Sequence, residues 1–156
     1  MARNKNWRKS IIILSGGFDP VHKGHLRMFR EAAYLGHYVI VGLNSDEWLT
    51  RKKGKPFMEW AERKEILESI KYINQVLPFN DDDDTASDII KQVAKTYKDK
   101  DVNIYFANGG DRKKGNVPEL DVCKDLNVVM LWGIGGGKIQ SSSWLINGEE
   151  KCGIIN

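Results

Sequence analysis

An α/β fold, doubly wound about a parallel five-stranded sheet with helices on both faces, is what the sequence predicts. Three observations carry the prediction: short continuous apolar runs rich in β-branched residues, amphipathic stretches of helical spacing between them, and glycines where one pattern gives way to the other. Residues 10–15 (Ser-Ile-Ile-Ile-Leu-Ser) read as a strand buried on both faces and ended by Gly16-Gly17. From 23 to 35 the apolar positions Leu26, Phe29, Ala32, Ala33 and Leu35 recur at helical intervals, and Gly36 supplies a stop. Residues 37–43 (His-Tyr-Val-Ile-Val-Gly-Leu) follow as a second buried strand, completing a βαβ unit.

The alternation continues with an amphipathic helix over 59–71 and a third strand over 74–79. A helix over 85–97 puts Ile89, Ile90, Val93 and Ala94 on one face, and a fourth strand covers 102–107. A short helix over 118–125, a fifth strand over 128–132 and a last short helix beginning among Ser141 to Ser143 complete the pattern. Such Rossmann-like sheets bind ligands at the carboxyl ends of their strands. With no internal repeat or linker, 156 residues are expected to form a single domain over 1–156. Its core spans about 10–146, between a short N-terminal arm and a C-terminal tail.

Composition narrows the function. Lys and Arg number 24 against 21 Asp and Glu, a formal charge of +3 that is too mild for a dedicated nucleic-acid surface, so no nucleic-acid partner is expected. A small anionic substrate needs only a few well-placed cations. No apolar run approaches the ~18 residues of a membrane span, and none is long enough for the ~7–15 residue core of a signal peptide. Cys123 and Cys152 form no CxxC pair and read as reduced thiols. The expectation is a cytoplasmic protein without a membrane partner.

The chemistry is concentrated between the first strand and the first helix, in Ser15-Gly16-Gly17-Phe18-Asp19-Pro20-Val21-His22-Lys23-Gly24-His25. Free backbone N–H groups and the helix dipole favour an anion there. Gly16 and Gly17 let the backbone approach a phosphate and take φ > 0. His22 and His25, three apart, face one side of the helix start, where two imidazoles can donate to a phosphate in its pentacoordinate transition state. The plainer alternative is a pair of surface histidines, with His22 capping the helix.

The run from Gly17 to His25 resembles the HxGH signature of the cytidylyltransferase-like nucleotidyltransferases, and the resemblance extends over about residues 11–146. It is closest to the glycerol-3-phosphate cytidylyltransferases and the heptose-1-phosphate adenylyltransferases. It implies attack of a substrate phosphate on the α-phosphate of CTP or ATP, release of pyrophosphate, Mg²⁺ bound through the nucleotide phosphates, and commonly a homodimer. On this resemblance His22 and His25 are catalytic and lie with Gly16, Gly17, Phe18 and Asp19 around the nucleotide.

Three further segments fit the same family. Arg51-Lys52-Lys53-Gly54-Lys55 reads as a basic loop after the second strand. The resemblance implies that Lys52, Lys53 and Lys55 neutralise phosphates, Lys52 alongside the catalytic histidines, and that Arg63 holds the acceptor. Asn108-Gly109-Gly110-Asp111-Arg112, beyond the fourth strand, is similar to the family's Gly-Gly-Asp and would hold base and ribose, with Arg112 in a slot where an aromatic often follows. Ser141-Ser142-Ser143 resembles the serine/threonine motif whose hydroxyls and amides meet the β- and γ-phosphates.

Asn44-Ser45-Asp46, Lys55-Pro56 and Gly-Gly-Asp favour ATP with a sugar 1-phosphate, whereas the helix around Glu62-Arg63-Lys64 favours CTP with an alcohol phosphate. The glycerol-3-phosphate group carries an arginine where this chain has Gly135-Gly136-Gly137-Lys138. That departure, with Arg112, is the basis of a rival reading as a non-catalytic nucleotide-binding module. Asp81 to Asp84, four consecutive carboxylates, read as a solvated acidic loop, and no metal site is expected from protein ligands.

Overall fold

The computed structural model describes residues 10–109 and 117–134. Five strands, β1 (Ser10–Gly16), β2 (Tyr38–Leu43), β3 (Gln75–Pro78), β4 (Asn103–Gly109) and β5 (Val129–Ile134), form one sheet in the order β3-β2-β1-β4-β5. Every neighbouring pair is parallel, with Ile13 opposite both Ile40 and Phe106 at the centre. The helices are α1 (Lys23–Tyr34), α2 (Asp46–Lys53), α3 (Trp60–Glu68), α4 (Ser87–Thr96) and α5 (Leu120–Asp125).

The central strand shows why the sheet is covered on both sides. Side chains alternate along a strand, so the unbroken apolar run of β1 serves two cores at once. Ile12 and Leu14 pack with Phe29 and Ala32 of α1 and Leu67 of α3. Ile11 and Ile13 pack with Ile89, Ile90 and Val93 of α4, Phe106, and Cys123 of α5. Gly42 in β2 gives α4 room to approach: a Cβ there would lie 2.9 Å from Cγ1 of Ile89.

Three local readings are corrected. Arg51, Lys52 and Lys53, expected in a loop, form the last turn of α2. Its ends carry the signal rather than its apolar face: the Ser45 hydroxyl accepts from the Trp48 N–H at 3.0 Å, Asp46 and Glu47 sit at the positive end of the helix dipole, and three cations sit at the negative end. Gly54, at φ +96°, closes it. On α1, Phe29 and Ala32 are buried, but of the expected apolar face Leu26 is 41% exposed and Leu35, the residue that caps the helix, 58%. Asp81, expected in solvent, is 2% exposed. Its carboxylate accepts from the Asn44 amide (2.9 Å), the Ser45 N–H (2.8 Å) and the Ser45 hydroxyl (2.7 Å), tying the end of β2 to the loop after β3. Asp82, Asp83 and Asp84 are exposed as expected.

The helix expected among Ser141 to Ser143 lies outside the described residues. Among those described, no helix is long and apolar enough to cross a membrane.

Candidate active site

Strand order reverses at β1, whose neighbours are β2 on one side and β4 on the other. In open sheets of this kind ligands bind outside the carboxyl ends of the strands at such a reversal. The β1–α1 turn, with its two histidines, stands at that edge.

The turn is shaped by contacts rather than by glycine flexibility. The left-handed residue is Phe18, at φ +48°, and not Gly16 or Gly17, which the sequence suggested would take φ > 0. The glycines are there for space. A Cβ on Gly16 would meet the Phe18 ring at 3.0 Å, and one on Gly17 would meet Cδ2 of Leu49 at 2.9 Å. Phe18 is buried, edge-on to His25 at 4.8 Å between centroids and 5.3 Å from Phe29. Expected beside the nucleotide, Phe18 instead forms the wall behind His25.

His22 is the N-cap of α1, and the two histidines cap each other's backbone. The Gly24 N–H donates to Nδ1 of His22 at 3.1 Å, and the His22 N–H donates to Nδ1 of His25 at 3.2 Å. The rings stack with centroids 3.7 Å apart and planes 20° from parallel. Both the capping role and the shared face read from the sequence are therefore present together. An Nδ1 that accepts leaves the proton of a neutral imidazole on Nε2, so these bonds select the Nε2–H tautomer of each ring. Burial, with the neighbouring His22 second, pushes the His25 pKa down to about 3. His25 is a neutral donor across the physiological range.

Asp19, expected to meet the nucleotide, is buried and turned to the protein. It accepts from the N–H groups of Phe57 (2.6 Å) and Met58 (2.7 Å), and Lys53 Nζ lies 2.9 Å from its Oδ2. Lys53 also donates to the Asp19 carbonyl at 2.9 Å. Of the expected phosphate-binding cations, Lys53 is thus engaged in a tether, while Lys52 is exposed with its ammonium over the Trp48 ring at 4.7 Å and Lys55 is exposed in the loop after α2.

Arg63 departs furthest from expectation. Its side chain has no exposure at all. Nε donates to the Met58 carbonyl (2.9 Å), Nη1 to the carbonyls of Gly17 and Asn44 (both 2.9 Å), and Nη2 to Asp46 Oδ1 (2.6 Å). A guanidinium spent this way holds loops together and does not face an acceptor. Sequence reasoning missed this network, including Asp46, Asn44 and Asp81. Gly109 ends β4 at the carboxyl edge of the sheet, while Gly110, Asp111, Arg112 and Ser141, Ser142 and Ser143 lie outside the described residues, as does Lys138.

A cytidylyltransferase-like family profile matches residues 13–130, most of the chain and both histidines of the turn. The chain belongs to the cytidylyltransferase-like family. It is a nucleotidyltransferase. The glycerol-3-phosphate cytidylyltransferase of Bacillus subtilis is 30% identical over 130 residues, covering 83% of this chain and 93% of that protein. The bifunctional protein HldE of Nitratiruptor is 32% identical over 123 residues, 78% of this chain but 24% of that longer protein. The fold is shared with a lipopolysaccharide core biosynthesis protein from Thermoplasma volcanium, with a TM-score of 0.56 at 17% identity, over 78% of this chain and 93% of that one.

Proposed function

We propose that this cytidylyltransferase-like enzyme transfers a nucleoside monophosphate from CTP or ATP to a phosphorylated alcohol or sugar. CTP with glycerol 3-phosphate is the first pair to test, because the Bacillus subtilis relative matches along nearly its whole length. An oxygen of the acceptor phosphate attacks the α-phosphorus, the bridge between the α- and β-phosphates breaks, and pyrophosphate leaves with the electron pair.

One observation carries the reading: two stacked imidazoles at the N-terminus of α1 each commit Nδ1 to a backbone N–H, which selects the Nε2–H tautomer in a neutral ring. Donors fixed before the reaction stabilise the charge that grows on the equatorial oxygens at no reorganisation cost. Since His25 is neutral, it contributes a hydrogen bond and no general acid is required.

Magnesium enters this reading as part of the substrate. The nearby carboxylates are already used, Asp19 by Lys53 and two amides and Asp46 by Arg63. Among the described residues no cluster of three His, Cys, Asp or Glu side chains could hold a metal. The cation would ride on the triphosphate, and Lys52 and Lys55 would share its neutralisation. Gly109 to Arg112 at the base and ribose, Ser141 to Ser143 at the leaving pyrophosphate, and a homodimer belong to the same proposal.

A pyrophosphate-release assay crossing four nucleoside triphosphates with a panel of alcohol phosphates and sugar 1-phosphates tests it. Release with CTP and glycerol 3-phosphate is expected; a sugar 1-phosphate with ATP would move the enzyme to the second substrate class. No release with any pair would overturn the reading.

A further inference from the structure

The geometry points to Arg63 as a positioning residue for the histidine pair, an inference that rests on the proposed nucleotidyl transfer for its kinetic consequence. Arg63 lies in α3, and no part of its side chain reaches solvent. Its guanidinium nevertheless joins four separate segments at the carboxyl edge of the sheet. Those segments are the β1–α1 turn through the Gly17 carbonyl, the end of β2 through the Asn44 carbonyl, the first residue of α2 through Asp46, and the loop before α3 through the Met58 carbonyl.

The contact with Gly17 matters most. The next residue, Phe18, is held at φ +48° with its ring against His25. The direction of the Gly17–Phe18 peptide therefore sets where that ring stands, and the ring sets His25. A planar fork with donors at fixed angles can satisfy three carbonyls and a carboxylate together, whereas an ammonium on a flexible stem cannot hold the same geometry. Asp46 fixes the guanidinium from the other side, so it is the second member of the device. Displacement of a reacting group by about 1 Å is enough to cost on the order of 100-fold in rate.

Arg63→Lys, Arg63→Ala and Asp46→Asn test the inference with two readouts, rates per folded molecule and the nitrogen-15 spectra of the imidazoles. Arg63→Lys is expected to lower kcat by about 10–100-fold with little change in KM for the nucleotide. In its spectra His25 should lose the single Nε2–H tautomer of the parent. Asp46→Asn should move both readouts the same way by less, and it carries the test if the Arg63 variants fail to fold. Free guanidinium should restore part of the rate to Arg63→Ala.

A folded Arg63→Lys with parental kcat and unchanged imidazole spectra would overturn the inference. If the parent itself releases no pyrophosphate with any substrate pair, the activity reading fails on its own, and the imidazole spectra still decide the role of Arg63. Unchanged spectra would refute that role, and a lost tautomer would support it.

Discussion

The backbone nitrogen of His22 lies 3.2 Å from Nδ1 of His25, while the two rings stack at 3.7 Å. One residue's main chain thus selects the tautomer of the other's side chain. That relationship has consequences for rate and for acid stability, which separate cleanly.

For the rate, His25→Ala and His22→Ala should each lower kcat by about 10²–10³, the usual loss for one transition-state donor. Both should also cost stability, His25→Ala by leaving the His22 N–H without its acceptor and the Phe18 ring without its neighbour. His22→Ala also removes the N-cap of α1 and should cost about 1 kcal/mol, measurable by urea titration. Near-normal turnover in either variant would remove that histidine from the chemistry.

For acid stability, the folded His25 pKa of about 3 lies below the ordinary 6.5. Above 6.5 neither the folded nor the unfolded chain protonates this ring, and it contributes no pH dependence. Between 6.5 and 3 the unfolded chain takes up the proton and the folded chain does not, so stability falls with falling pH by about 1.4 kcal/mol per unit. Urea titrations at pH 7 and pH 5 should show this slope in the parent and a shallower one in His25→Gln.

Asp81→Ala should destabilise the protein by about 3 kcal/mol, because it strips partners from the Asn44 amide and from Ser45. Asp82→Ala, exposed in the same run, should stay within about 0.5 kcal/mol of the parent. Equal effects would return Asp81 to the solvent.

Gly42→Ala should cost about 1–3 kcal/mol by overpacking, since the new methyl meets Ile89 at 2.9 Å. Pairing it with Ile89→Ala should recover part of that loss through coupling between the two sites. Turnover per folded molecule should stay unchanged, because the contact lies on the face carrying α4.

Lys52→Ala should raise a substrate KM by about 10-fold, roughly the 1.4 kcal/mol expected of one exposed phosphate contact, and leave the melting temperature unchanged. Lys53→Ala should instead lower the melting temperature, because its ammonium is paired with the buried Asp19. The same two assays on both variants separate ligand binding from tethering.

β1 and β2 were legible because each is a continuous apolar run, and β1 needs one to face two cores. The helix α2 was not, because Trp48 and Leu49 are its main apolar residues and its ends, not its face, specify it. Arg63, expected to hold the acceptor, sits between Glu62 and Lys64 on a charged stretch, and only the folded chain reveals that its guanidinium turns inward. Asp81 was hidden in the same way by three acidic neighbours. The two histidines stood out because a strand, a glycine pair and a helix start flank them within a few residues. Their reciprocal capping, which depends on ring orientation, could not be read from spacing.

The backbone of Met58 is held on both sides, its N–H donating to Asp19 and its C=O accepting from Arg63. The loop ahead of α3 and the turn that bears the imidazoles therefore shift as one mechanical part. The exposed Phe57 sits one residue before that tie, its own N–H also held by Asp19, so the surface of the loop and the histidine turn share one buried carboxylate.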